Sequence, residues 1–288
     1  MRLGRFSVMS TSIARSWRLS AVVDLDRYPI DRPDGDEYRA LVADARRELA
    51  DDGAFVLDGF VRAEAIDRIV PAVDAIEDHA FHATKHHNVY LRADDPAFPS
   101  DHARNAKQVT TSATVGYDHT STIDDLDGLY RSEAMRRFVA DALGHDELFV
   151  YEDALAPVSV LFYRPGTRLG WHFDNSTFTV TLMLREADSG AAFEYVPFVL
   201  RDDDLAFDRV ESIVGGDRSD VRALRQSGGT LVLFQGSRTV HRVTEVTGPT
   251  TRLLATLSYS PQPGARLSAV NQQMFYGRTV DGAAELSA

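Results

Sequence analysis

Short apolar runs with alternating polarity fill the second half of the chain. In the clearest run, residues 177–184, Phe178, Val180 and Leu182 alternate with threonines, the period-two pattern of a strand with one buried face. Turns that contain glycine separate these runs. The sequence predicts strands at residues 148–151, 158–163, 169–174, 177–184, 192–196, 230–234, 239–244 and 252–259.

The first half of the chain has helical periodicity instead. Apolar residues at helical spacing predict helices at residues 36–49, from about 63 onward and at 132–143, with a short strand at 54–57. Residues 94–121 contain many polar residues and few apolar ones, which predicts a long loop of the kind that covers a binding site. Residues 202–224 predict a polar insertion with one or two helices.

Helices followed by many short strands are typical of an α+β protein with a double-stranded β-helix, or jelly roll, at its core. We predict one domain over residues 23–288. It has a helical support layer at about 36–145, a jelly-roll core at about 147–262 and a C-terminal segment at 263–288. Residues 1–22 are basic and predict a disordered leader, with Met9 as an alternative start.

Composition limits the classes of partner. The 288-residue chain has a net charge of −12 and a pI near 5.2, which disfavours binding to a nucleic-acid backbone. No apolar run is long enough to span a membrane, so we expect a cytoplasmic protein. The absence of cysteine excludes disulfides, thiol nucleophiles and iron–sulfur clusters. The oligomeric state stays open between a monomer and a homodimer.

Two histidines and one carboxylate form the strongest candidate metal site. His172 and Asp174 are two residues apart on a predicted strand, so their side chains point to the same face. His241 lies on a later predicted strand and would complete a two-histidine, one-carboxylate facial triad. Such a triad holds Fe(II) and leaves three coordination positions open for a co-substrate and O2.

A single arginine is the candidate partner of the co-substrate. Arg252 lies on the strand after His241, among apolar neighbours, so it is expected to be buried and paired. Its guanidinium suits bidentate binding of the distal carboxylate of 2-oxoglutarate.

A second histidine cluster has a weaker claim to a metal. His79, His82, His86 and His87 lie close together, and His82 and His86 would share one face if a helix continued there. No carboxylate is placed to complete a site, so an exposed helix end or a role in a substrate loop is favoured over a second metal.

These motifs resemble the Fe(II)/2-oxoglutarate-dependent dioxygenase superfamily over about residues 151–260. The motifs are residues 161–166, His172-Phe173-Asp174, residues 228–234, and His241 followed by Arg252. The resemblance implies that the triad binds iron and that Arg252 binds 2-oxoglutarate. It also implies that Tyr163, nine residues before the first ligand, helps to bind the same carboxylate; a plain core aromatic is the alternative reading.

More narrowly, residues 170–174, 193–195, 241–244 and 275–278 resemble a bacterial group that hydroxylates or halogenates free amino acids. Halogenating members have glycine in place of the carboxylate ligand, so the presence of Asp174 implies hydroxylation. The resemblance suggests Arg104 for the substrate carboxylate and Asp153 for its amine. Some relatives have an acid where this chain has Asn175, which argues against a basic substrate such as lysine. Two further residues, Glu194 and Tyr276, are candidate substrate contacts, with an exposed acid and a packing anchor as their ordinary readings.

The expected function is therefore hydroxylation of a free amino acid with Fe(II), 2-oxoglutarate and O2. Two alternatives stay open. The first is the same cofactor chemistry on another small molecule, or desaturation or cyclisation in place of hydroxylation. The second is a jelly-roll binding protein without turnover.

Overall fold

The computed structural model describes residues 17–201, 204–280 and 282–283. The helices are α1 (Asp36–Asp52), α2 (Ala63–Asp74), α3 (Tyr117–Thr120), α4 (Asp124–Arg131), α5 (Glu133–Leu143), α6 (Phe207–Val214) and α7 (Ala269–Tyr276). The strands are β1 (Ala54–Leu57), β2 (Phe81–His87), β3 (Gln108–Val115), β4 (Phe149–Val150), β5 (Val158–Tyr163), β6 (Leu169–His172), β7 (Thr179–Arg185), β8 (Phe193–Val196), β9 (Arg222–Leu224), β10 (Leu231–Phe234), β11 (Val240–Val243), β12 (Arg252–Leu257) and β13 (Tyr259–Ser260). Residues 1–16 of the predicted leader lie outside the described residues.

Two antiparallel sheets form the core. The major sheet has seven strands in the order β1-β10-β7-β12-β5-β3-β2, and the minor sheet has four in the order β6-β11-β8-β9. Side chains from the two sheets meet between them; the rings of Phe193 and Phe234, for example, lie 5.0 Å apart. The predicted α+β jelly roll with N-terminal helices is confirmed.

Helices cover the outer face of the major sheet. Ile69 on α2, Leu126 on α4 and Phe138 on α5 pack in one cluster with Leu233 and Leu253 from the sheet. Burial of each such side chain stabilises the fold by about 1.5–3 kcal/mol, so the sheet depends on this layer. Within the described ranges, no helix is both long and apolar enough to cross a membrane.

The predicted polar insertion covers the outer face of the minor sheet. Its one described helix, α6, buries Val210 and Ile213 against Trp171, Phe173 and Val240 of the sheet. Trp171 and Phe173 flank His172 in sequence, and side chains alternate across a strand. The insertion therefore packs behind the strands that carry the candidate metal ligands.

The prediction of a loop at residues 94–121 was wrong for the second half of that range. β3 and α3 occupy residues 108–115 and 117–120. β3 pairs with β2 along seven registered residue pairs, but its inward positions carry threonine and serine. The apolar alternation that identifies a strand is therefore weak, since it rests on Val109, Ala113 and Val115 of the outward face and is interrupted by Thr111.

The helix considered for the histidine cluster was also wrong, because His82, His86 and His87 lie on β2. His82 and His86 are on its exposed face. Four residues along a strand span about 13 Å, so these two rings are too far apart to share a metal.

Candidate metal centre

His172, Asp174 and His241 converge on one point between the sheets. The Nε2 atom of each histidine lies 3.5 Å from Asp174 Oδ1, and the three ligand atoms all lie within 4.8 Å of one another. Ligands on one face of an octahedral ion at about 2.1 Å are about 3 Å apart. The three side chains thus match the spacing of a facial triad.

Strand pairing brings the two imidazoles together. His172 and His241 are directly opposite in the register of β6 and β11. Each Nδ1 lies 2.9 Å from a backbone carbonyl two residues earlier, that of Gly170 and that of Thr239. An Nδ1–H that donates to a carbonyl leaves Nε2 as the unprotonated atom of a neutral ring. Both Nε2 lone pairs are therefore available to a metal.

Asp174 is placed by a loop and not by its own strand. β6 ends at His172, and the backbone N–H of Asp174 donates to the Gly236 carbonyl at 3.0 Å. The Thr179 hydroxyl donates to Asp174 Oδ2 at 2.8 Å, which leaves Oδ1 toward the histidines. The predicted convergence of His172 and Asp174 is present, but it depends on the turn between β10 and β11.

Protonation states in the triad favour metal binding. Burial, together with the neighbouring His241, lowers the pKa of His172, so its ring is neutral at pH 7. Burial alone would raise the pKa of Asp174, but the two imidazoles outweigh it and hold that pKa well below its usual value. Two imidazoles and one carboxylate are the donor set that ferrous iron binds in such triads.

Arg252 is a buried cation with a free donor. It is 2% exposed, lies opposite Tyr163 in the β12–β5 register, and has its guanidinium carbon 5.0 Å from the Tyr163 ring centroid. Its Nη2 donates to Gln226 Oε1 at 3.0 Å, whereas its buried Nη1 has no hydrogen-bond partner among the described residues. An unpaired buried charge destabilises the folded protein by several kcal/mol. A bound anion that accepts a hydrogen bond from Nη1 would remove this cost.

A cavity of about 160 Å³ adjoins this guanidinium. Arg252, Gln226, Met183 and Phe193 are among the residues that line it. The Phe193 ring also stacks against His241, with centroids 5.5 Å apart. Phe193 thus lies between the cavity and the triad. A small dicarboxylate could bind the free Nη1 of Arg252 with one carboxylate and reach the metal with its other end.

The sequence matches the family model described as Halogenase D (HalD) over residues 38–274. The chain belongs to the halogenase D family. No curated protein matches its sequence.

Solved structures share the fold of this HalD protein at low sequence identity. The epimerase SnoN from nogalamycin biosynthesis, in complex with Fe³⁺ and alpha ketoglutarate, is 15% identical, with a TM-score of 0.53 and coverage of 77% of this chain and 84% of that one. A prolyl hydroxylase from Trichoplax adhaerens is 14% identical, with a TM-score of 0.51 and coverage of 77% and 90%. EctD from S. alaskensis, with 2-oxoglutarate and 5-hydroxyectoine, is 15% identical, with a TM-score of 0.50 and coverage of 76% and 75%.

Arg104 is a second buried cation with a free donor. It is 9% exposed, its Nη2 donates to the Ala93 carbonyl at 2.9 Å, and its guanidinium lies 5.9 Å from the Tyr90 ring. Its Nη1 is buried and has no partner among the described residues. Tyr90 in turn packs on Phe173, with ring centroids 5.7 Å apart. Arg104 therefore lies beside Tyr90, which packs on the Phe173 side of the metal-binding strand.

Asp153 and Tyr276 make internal contacts. Asp153 Oδ1 accepts from the backbone N–H groups of Leu155 and Ala156, and Oδ2 accepts from the Leu267 N–H and from Gln272 Nε2. The Tyr276 hydroxyl is hydrogen-bonded to Ser159 Oγ at 2.7 Å. Both residues join the C-terminal segment to the core, and these contacts account for their burial without a ligand.

Glu194 lies on β8, beside the strand that carries His241, and Asn175 lies in the turn after Asp174. Glu194 is opposite Arg242 in the β8–β11 register and accepts from its Nε at 2.7 Å. Because Arg242 follows His241, both members of this pair face away from the metal ligands. Asn175 is exposed on the turn that follows Asp174.

Sequence reasoning missed three residues that shape the site, namely Thr179, Gln226 and Gly236. Gly236 lies in one of the glycine-containing turns between the predicted strands, and nothing in its sequence context shows that it contacts Asp174. The contacts of Thr179 and Gln226 depend on which strands and loops come together. No local signal in the sequence identifies them.

Proposed function

We propose that this HalD protein is an Fe(II)- and 2-oxoglutarate-dependent oxygenase that hydroxylates an unactivated C–H bond of a free amino acid. The observation that carries the proposal is the facial triad next to a cavity in which Arg252 has a free, buried donor. Two of the structural neighbours hold alpha ketoglutarate or 2-oxoglutarate, which supports the same co-substrate here.

Each residue of the centre has a distinct task in this proposal. His172, Asp174 and His241 hold the iron, and Arg252, with Tyr163 beside it, holds the distal carboxylate of 2-oxoglutarate. Bound iron and 2-oxoglutarate supply the oxidising chemistry, in which the substrate, 2-oxoglutarate and O2 become hydroxylated substrate, succinate and CO2. The protein fixes the geometry and keeps the site dry, since both histidines and Arg252 are buried.

Asp174 supports hydroxylation over halogenation within this family. Its carboxylate fills the coordination position that a halide would need, and the Thr179 hydroxyl donates a hydrogen bond to it there. Moving this carboxylate aside would break that hydrogen bond, so the protein does not offer the position readily.

Arg104 is the proposed anchor for the substrate carboxylate, because its buried Nη1 lacks a partner among the described residues. Asn175 stays a predicted substrate contact at the edge of the site. We leave Asp153, Glu194 and Tyr276 out of the proposed substrate set, because their polar atoms are already paired. A cytoplasmic location and a homodimer stay predictions.

Mass spectrometry of reactions with a mixed pool of free amino acids tests the proposal. The purified protein is supplied with Fe(II), 2-oxoglutarate and air. We expect one amino acid to gain one oxygen atom, with an equal amount of succinate. A product lacking two hydrogens would show desaturation or cyclisation instead. If carrier-bound or acylated amino acids react and free ones do not, the substrate class is wrong. If no small molecule stimulates succinate release, the protein is a binding protein.

A further inference from the structure

Lys85 is a half-buried cation with no acidic partner among the described residues. Its ammonium lies 4.5 Å from the centroid of the Phe275 ring on α7. Within the described residues it takes part in no ion pair or side-chain hydrogen bond. Burial lowers the pKa of Lys85, which is the signature of a charge that has lost water without gaining a counter-ion. A stacked ring satisfies none of its three N–H donors.

Strand register places Lys85 on the face of the major sheet that meets the metal centre. Lys85 is opposite Thr110 on β3, and Thr114, on the same face of β3, is opposite Leu161 on β5. Leu161 and Tyr163 share a face of β5, and Tyr163 is opposite Arg252. The Lys85 side chain therefore points into the same interior as Arg252. The neighbours that point the other way, Thr84 and His86, are exposed.

The strand partner of Lys85 is hydrogen-bonded to the strand that carries His172. Its register partner Thr110 accepts a hydrogen bond from the Gly170 N–H at 3.0 Å, and Gly170 O is paired with His172 Nδ1. His87, two residues after Lys85, is 2.7 Å from Thr110 Oγ1 through its Nε2 and has its ring centroid 6.2 Å from that of His172. Lys85 thus lies at the edge of the candidate metal centre, on the strand next to β3, which contacts the strand that carries His172.

The co-substrate pocket cannot use this lysine. Three strand-to-strand steps separate β2 from β12 in the sheet, or about 14 Å at about 4.8 Å each. Lys85 is also not among the residues that line the cavity beside Arg252. Lys85 is therefore available to a different anion.

We propose that Lys85 binds a second carboxylate of the substrate, so that the enzyme acts on an acidic amino acid. This inference rests on the proposed function. Arg104 takes the α-carboxylate, Lys85 takes the side-chain carboxylate, and Phe275 provides the apolar wall beside the intervening methylenes. Asn175, where an acid would attract an ammonium group, is compatible with such a substrate. Each of these two cations retains a donor without a protein partner among the described residues, which suits the binding of one anionic group each.

Direct binding measurements on the full chain test the inference. The protein, loaded with Co(II) and 2-oxoglutarate, is titrated with L-glutamate, L-aspartate, L-norvaline and L-lysine in a calorimeter. We expect one of the acidic amino acids to bind best. Lys85→Met should weaken that binding roughly 10- to 100-fold, as expected for the loss of a charge-assisted hydrogen bond. Lys85→Arg should retain most of the affinity, and neither variant should alter the affinity for 2-oxoglutarate.

His86→Met is the matched control, since it changes an exposed residue on the next position of β2. Its affinities and melting temperature should equal those of the wild type. The inference is overturned if acidic amino acids do not bind, if Lys85→Met binds them normally, or if Lys85→Met weakens L-norvaline as much as the acids. In each of these cases, succinate release with a neutral or basic amino acid would still uphold the proposed function. Absence of succinate release with every amino acid would reject the proposed function instead.

Discussion

Gly236 lies directly against the carboxylate of Asp174. A Cβ atom built on Gly236 would be 2.0 Å from Asp174 Oδ2, far inside contact distance, and the Gly236 carbonyl accepts the Asp174 N–H at 3.0 Å. The turn between β10 and β11 therefore supplies both the hydrogen bond that orients the ligand and the space that the carboxylate occupies. Only glycine meets both needs.

Gly236→Ala should weaken metal binding while the fold persists. The added methyl group must displace the Asp174 carboxylate, and loss of such a supporting contact typically costs about 10- to 100-fold in metal affinity. Titration of the apo-protein with Co(II), followed by absorbance, measures the change. Gly35→Ala, a substitution outside the metal centre, is the control and should bind Co(II) normally. Equal affinities for wild type and Gly236→Ala would show that the carboxylate is not confined by this turn.

Removal of the Asp174 carboxylate should separate the two chemistries of the family. Asp174→Ala should abolish hydroxylation, because only two protein ligands remain on the iron. Asp174→Gly, assayed with chloride, opens the position for a halide and is expected to give at most a trace of chlorinated product, because the surrounding pocket is unchanged. Mass spectrometry distinguishes the gain of oxygen from the gain of chlorine. Full hydroxylation by Asp174→Ala would remove this residue from the set of ligands.

Gln226 should control the affinity for 2-oxoglutarate through Arg252. Its Oε1 accepts from Arg252 Nη2 and so directs Nη1 toward the cavity. Gln226→Glu would place a carboxylate against the guanidinium and compete with the co-substrate, whereas Gln226→Met removes the acceptor without adding charge. We expect KM for 2-oxoglutarate to rise most in Gln226→Glu, by about tenfold or more, and less in Gln226→Met. Equal KM values for 2-oxoglutarate in the two Gln226 variants would contradict this role of Gln226.

Replacement of Arg252 tests the co-substrate site directly. Arg252→Ala should raise KM for 2-oxoglutarate far more than KM for the substrate.

The strands and the triad could be predicted from sequence because each has a local signature. β5 was predicted with its observed ends, since apolar residues fill its six positions almost without interruption. The pair His172 and Asp174 is close in sequence, and an extended chain fixes the direction of both. The metal centre was therefore accessible from spacing alone.

Contacts that depend on strand register were not accessible. Lys85 faces the interior only because β2 pairs with β3 in one register, and a shift by one residue would turn it to solvent. The inward face of β3 carries threonine and serine, because the interior that it faces is a polar active site and not a hydrophobic core. Local sequence thus failed where the protein departs from ordinary core packing, which is also where its function lies.

Asp58 should make stability depend on pH through the loop that carries Gln226. Its Oδ1 accepts from Ser227 Oγ at 2.8 Å and from Thr230 Oγ1 at 3.2 Å. These hydrogen bonds hold the pKa of Asp58 below its usual value of 3.8. Because the folded-state pKa is the lower one, the stabilisation is present above pH 4 and is lost as the pH falls through the folded-state value.

Urea unfolding of wild type and Asp58→Asn at pH 7 and at pH 3 measures this effect. The wild type should be the more stable of the two at pH 7, and the difference should shrink at pH 3, where the Asp58 carboxyl is protonated in the unfolded chain and folding gains less from its ionised form. The difference in unfolding free energy at pH 7 is expected to be small, since Asp58 is exposed. Ser227→Ala, which removes one donor, should reduce the same pH dependence. A difference between wild type and Asp58→Asn that is unchanged from pH 7 to pH 3 would show that the charge of Asp58 does not stabilise this loop.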